Sequence, residues 1–128
     1  MHNEQTGCIS ELKAQTYFME LGYDVFAPIS KHSRADLIAV DRDTNDLLRV
    51  QVKTVQTNGE YLQARITVKD KPYTVEDTDL FIFVYEDKMW EVPVDCVEGL
   101  TSVNFGRVDE QVLNNRTKRF DTSEYQVK

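Results

Sequence analysis

The spacing of apolar residues changes period several times along this chain, and each change marks an element. Residues 5 to 21 follow a helical period, with Asn3 or Thr6 available as a cap and Gly22 as a C-terminal stop. Their apolar side chains fall on two faces, Ile9, Leu12 and Met19 on one and Ala14, Phe18 and Leu21 on the other. Such a helix is expected to be sandwiched, within the domain or against a second subunit. Tyr23 to Ala27 reads as a short strand ended by Pro28, and Ala35 to Asp41 with Leu47 to Val55 as an apolar hairpin. Tyr61 to Val68 alternates strictly, with Leu62, Ala64, Ile66 and Val68 on one face, which predicts one half-exposed strand. Asp79 to Tyr85 (DLFIFVY) is a continuous apolar run, the pattern of a strand buried on both faces. Met89 to Val92 follows as its hairpin partner. The C-terminal third is weakly patterned, with Val108 to Asn115 as a short helix. The order predicts an α/β (α+β) fold: a single mixed β-sheet with an N-terminal helix.

The hairpin carries polar residues where its strands are otherwise apolar. Gln51 and Lys53 are two apart and share a face. The turn must centre near Asp43-Thr44-Asn45. A centre between 43 and 44 pairs Asp36 with Gln51; one between 44 and 45 pairs it with Lys53. Either register gathers the three side chains on one face, shared with Ile38 and Arg49, while Leu37, Ala39, Val50 and Val52 face the other way. An acid, an amide oxygen and an amine are the parts of a site that holds a divalent cation and attacks a phosphodiester, provided that another hard oxygen joins them. Glu11 is the candidate, because it lies on the helix flank of Ala14 and Phe18. A solvated face with an Asp–Lys pair is the alternative. The acidic turn Asp41 to Asp46 resembles the start of a calcium loop but lacks the glycine and the closing acid, so it reads as a turn.

A length of 128 residues suits one domain, 1–128, able to bury its own core. Cys8 and Cys96 fit no metal spacing and are expected to act as small core hydrophobes. No apolar run has the length of a membrane span or the form of a signal segment, so a soluble, cytoplasmic protein with no membrane partner is expected. The net charge of −7 argues against a polyanionic partner. The acid is regional, however: residues 76 to 98 hold eight acids and the single base Lys88. Bases gather at Lys31 and Arg34, just before Asp36, and at Arg116, Lys118 and Arg119. His32 and Ser33 stand beside the first group. Gln63, Arg65, Thr67 and Lys69 would project together from the alternating strand, and all of these are candidate DNA contacts.

The order Gly7-x3-Glu11, Gly22-Tyr23-x-Val25-Phe26-x-Pro28, Asp36-Leu37-Ile38 and Gln51-x-Lys53 resembles the PD-(D/E)XK nuclease superfamily. Within it the pattern is most similar to the small group I intron homing endonucleases, whose third motif is QxK. The likeness spans about residues 5–95 and continues through Asp79-Leu80-Phe81 and Trp90-x-Val92-Pro93, leaving about 96–128 as a C-terminal extension. Ala35 stands where the superfamily's name has proline. The resemblance implies a restriction-endonuclease-like core and a Mg²⁺-dependent, site-specific cut in double-stranded DNA that leaves a 5′-phosphate. It implies Glu11, Asp36, Gln51 and Lys53 as catalytic residues. It also implies Glu11, Asp36 and Gln51 as metal ligands, joined by the Val52 carbonyl, with Mn²⁺ able to replace Mg²⁺. One site cuts one strand, so a homodimer or homotetramer is expected, in a bacterial or phage setting. A Holliday-junction resolvase shares much of the pattern but usually has Glu at the place of Gln51. A non-catalytic DNA- or protein-binding module on the same fold is the alternative from another class.

Overall fold

The computed structural model describes residues 3–30, 32–107 and 122–127. Lys31, the Val108 to Asn115 segment and the Arg116, Lys118 and Arg119 cluster lie outside the described residues. Helix α1 spans Asn3–Glu20 and ends as Gly22 takes a positive φ of 94°, its N–H donating to the Met19 carbonyl. The chain then reverses into β1 (Tyr23–Phe26), β2 (Leu37–Asp41) and β3 (Leu47–Thr54). Next come the short strands β4 (Gln56–Asn58), β5 (Tyr61–Arg65), β6 (Thr67–Val68) and β7 (Lys71–Pro72). The hairpin β8 (Leu80–Tyr85) and β9 (Lys88–Pro93) follows, then β10 (Ser102–Arg107). The acidic turn is a turn: Asp41 Oδ1 accepts from the Asp43 N–H at 2.8 Å.

The main sheet runs β1-β2-β3-β8-β9 and is mixed, because β3 and β8 are parallel while the other neighbours are antiparallel. One face packs under α1 through Ala14, Phe18, Leu37, Ala39, Val50, Val52 and the even positions of β8. The other carries Phe81, Phe83, Trp90 and Val92 against Leu62, Ile66, Val103 and Phe105. Strand β8 is therefore covered on both sides, as its unbroken apolar run demands.

Three sequence expectations need correction. The stretch 61 to 68 is not one strand. Ile66 turns into the core, 1% exposed, and its N–H bonds the Thr101 carbonyl at 2.9 Å, which ends β5. Thr67 and Lys69 then belong to a separate small hairpin whose turn holds Lys69 and Asp70 at positive φ, so they do not share one row with Gln63 and Arg65. Beside the main sheet stands a second, three-stranded one, β10-β5-β4, because the tail supplies the strand β10. On α1 the chain itself covers Ala14 and Phe18; Leu21 lies past the helix end and is exposed, as are Ile9, Leu12, Met19 and Cys8.

Candidate active site

Alternation along β3 sends Val50 and Val52 under α1, so Arg49, Gln51 and Lys53 project from the opposite face. The pairing of Leu37 with Val50 sets Asp36 opposite Gln51, the register of a turn centred between 43 and 44. The Asp36 N–H donates to the Val50 carbonyl at 3.0 Å and locks that register at the strand's end. Asp36 Oδ2 in turn accepts from Gln51 Nε2 at 2.9 Å and from the Val52 N–H at 2.8 Å. The two backbone groups of one strand residue face the same neighbour, so the Val52 carbonyl points toward this edge as well.

Glu11 arrives from the helix. Ser10, 3% exposed, holds its hydroxyl 2.8 Å from that of Thr54, the residue after Lys53. That contact ties α1 to the end of β3 and sets Glu11 in hydrogen-bond contact with Asp36. Removal from water pushes the Glu11 carboxyl above its ordinary 4.5, and the Asp36 charge and hydrogen bond add to the rise. Asp36 is also raised above 3.8, chiefly by burial, against the opposing pull of the Val52 N–H, the Lys53 ammonium and Glu11. The contact between the two carboxyls raises Glu11 and lowers Asp36. Lys53 Nζ lies over the Tyr73 ring, 5.1 Å from its centroid.

This donor set fits a divalent cation. Gln51 spends its NH₂ on Asp36, and its buried Oε1 has no hydrogen-bond partner. A buried acceptor left unpaired costs about 1–3 kcal/mol, a cost that a hard cation would remove. Among the described residues no three Asp, Glu, His or Cys side chains converge, so a cation held here would need the amide oxygen beside the two carboxyls.

Two clefts flank the cluster. One of about 240 Å³ is lined by Glu11, Gln15, Ser30, Ser33 and Asp36, with His32 and Arg34 exposed on the same loop. The other, about 550 Å³, runs past Gly7, Lys53, Thr54, Gln56, Gln63 and Arg65. Thr67 and Lys69 line neither. A larger groove of about 690 Å³ follows the far flank of α1 and touches none of the cluster. The sequence reading missed the Ser10–Thr54 contact and the Tyr73 ring. The only signal for the former is that each hydroxyl residue adjoins a candidate, Ser10 next to Glu11 and Thr54 next to Lys53.

A helix-borne acid meeting an Asp…QxK hairpin on a mixed sheet is the arrangement of a PD-(D/E)XK nuclease. A model of the PD-(D/E)XK endonuclease family matches residues 1–127, and the chain belongs to that family. Protein 5.3 of Escherichia phage T7 is 34% identical over 107 residues, 80% of this chain and 89% of the phage protein. The solved bacterial homing endonuclease I-Ssp6803I superposes with a TM-score of 0.74 at 19% identity, over 98% of this chain and 86% of that one. At that identity the likeness establishes the fold.

Proposed function

We propose that this chain is a Mg²⁺-dependent endonuclease of the homing kind, hydrolysing phosphodiesters of double-stranded DNA to leave a 5′-phosphate. The observation that carries the reading is the orphaned Gln51 oxygen beside two carboxyl groups, both raised above their ordinary values chiefly by burial, and an ammonium. Glu11, Asp36 and Gln51 would hold the ion, with the Val52 carbonyl at the same edge. When bound, Mg²⁺ supplies Lewis acidity toward a phosphoryl oxygen, and Mn²⁺ does the same. Lys53, held over Tyr73, orients the attacking water and offsets charge that grows on the phosphoryl group. Gln in place of Glu keeps an oxygen ligand and gives up one negative charge, so the ion is held less tightly.

DNA would lie across both clefts, met by His32, Ser33 and Arg34 on one side and Gln63 and Arg65 on the other. Residues 76 to 98 carry eight acids and one base, the whole of the net charge of −7, and the rest of the chain balances. Two copies are needed to cut both strands, as a homodimer or a pair of dimers. The exposed Ile9, Leu12 and Met19 on α1 are the proposed contact between them. None of the described helices is long and apolar enough to cross a membrane. A phage relative and a bacterial structural neighbour support an intracellular setting in bacteria or their phages, and an intron-borne origin is part of the same proposal.

The test is cleavage of a linear duplex library in Mg²⁺, beside EDTA and a four-way junction. Lys53→Ala and Asp36→Ala are expected to lose about 10²–10³-fold or more in rate while keeping the wild-type circular dichroism spectrum. Undiminished cleavage by either variant sinks the site. Preference for the junction over linear duplex turns the reading to a resolvase.

A further inference from the structure

We infer that the outward face of the three-stranded sheet is a base-reading surface. In it Gln56, Gln63 and Asn104 form a single row of amides that takes major-groove base edges within one short run of base pairs, adenines foremost. The inference rests on the nuclease reading and adds Gln56 and Asn104 to it.

The row follows from register and burial together. Gln63 is the cross-strand partner of Gln56 on one side and of Asn104 on the other. Leu62 and Ala64 are buried, and so are Val103 and Phe105, which sends the residues between them, Gln63 and Asn104, to the solvent side. Strands lie about 4.8 Å apart, so the three amides span about 10 Å. That covers about three base-pair steps of about 3.4 Å, a run of about four base pairs, and the major groove, about 12 Å wide, admits β-structure. An amide both donates and accepts, which matches adenine N6 and N7 in one bidentate contact. Exposed Arg65, two residues from Gln63 on the same face, is placed for the neighbouring phosphate.

Local structure aims the row. The register of β10 against β5 shifts between Asn104 and Gly106, and the buried Gly106 has φ of +104°. Asn104 Oδ1 accepts the Gly106 N–H at 3.1 Å, which engages the oxygen and leaves the NH₂ as the group that can donate. Bulges of this kind re-aim side chains beside active sites. Continuity with the chemistry is direct, because Gln56 and Gln63 line the cleft that also contains Lys53. The composition of the edge strand points the same way. An exposed edge is ordinarily guarded by charge or proline, whereas β4 carries Gln56-Thr57-Asn58, which is polar and uncharged.

The test is selection of binding sites from a random duplex library by the full chain bearing Lys53→Ala in Mg²⁺. Wild-type cleavage of the same library is scored in parallel. The Lys53→Ala chain is expected to enrich sites with A·T pairs at fixed positions. Gln56→Ala, Gln63→Ala and Asn104→Asp are each expected to lose about 5- to 150-fold discrimination at a single position within one run of about four base pairs. Asn104→Asp keeps the oxygen that caps Gly106, removes the donors and adds a negative charge, so the readout is lost discrimination at one position rather than uniformly weaker binding. If all three variants select the same sequence as the parent, or the parent enriches nothing, the inference falls. Cleavage by wild type together with unchanged selection overturns the inference and leaves the nuclease standing. Amide-dependent selection without wild-type cleavage supports the inference and removes the nuclease.

Discussion

Two ends of one strand face show opposite ways of handling charge. At the start of β3, Arg49 is met at every guanidinium nitrogen: it grips the Asp79 carboxylate through two of them, at 3.2 and 3.1 Å. It also reaches the Glu76 and Val75 carbonyls at 2.6 and 2.7 Å. The backbone joins in, with the Arg49 N–H on Asp79 Oδ2 and the Asp79 N–H on the Arg49 carbonyl. Hydrogen bonding to Arg49 draws Asp79 below its ordinary value, and the same bond raises Arg49. One pleat further on, Gln51 leaves an oxygen unpaired, and the two carboxyls beside it are both raised. A satisfied polar cluster is a joint. One with an unpaired acceptor is where the proposed cation would bind, at some cost to stability.

The contrast predicts effects of opposite sign. Arg49→Ala is expected to destabilise the fold by about 2 kcal/mol, because it abandons a carboxylate and two carbonyls, while folded molecules still cut. Urea denaturation alongside cleavage per folded molecule checks this, and unchanged stability would make the joint ornamental. Asp36→Asn is expected to raise stability by about 1 kcal/mol without divalent ions, since it removes a half-buried charge beside Glu11. The same change abolishes cutting, so a fall in the melting temperature would contradict the poised site. The smallest effect is on pH dependence. A carboxyl lowered in the folded state adds stability above its ordinary value and loses it as pH falls through the folded value. The melting advantage of wild type over Asp79→Asn is therefore expected to be full above about 4 and to shrink as pH drops below 3.8. A gap that stays constant through that range would contradict the Arg49–Asp79 pairing.

Much of this was legible in the residues because strand alternation is local. The placement of Asp36, Gln51 and Lys53 on one face needed only the period of two and a turn of limited length. Glu11 was legible as the hydrophilic member of the Ala14–Phe18 flank. The break at Ile66 was not, since its cause is a bond to Thr101 from a distant segment. Strand β10 was overlooked, although Val103 and Phe105 carry the alternation, because a glycine and a bulge blur it. The Arg49–Asp79 joint was equally hidden, as it exists only where two strands meet in parallel.

That parallel meeting has a consequence in time. All other neighbours in the main sheet are successive strands, whereas residues 50 and 80 come together only after the whole β4–β7 excursion has been gathered in. The entropy of closing such a loop is lost before any contact repays it, so pairings of this kind form late. Gln51 and Lys53 ride on the strand that waits. Refolding is then expected to regain its last phase and its cleavage activity together, with the nuclease complete only when β8 arrives.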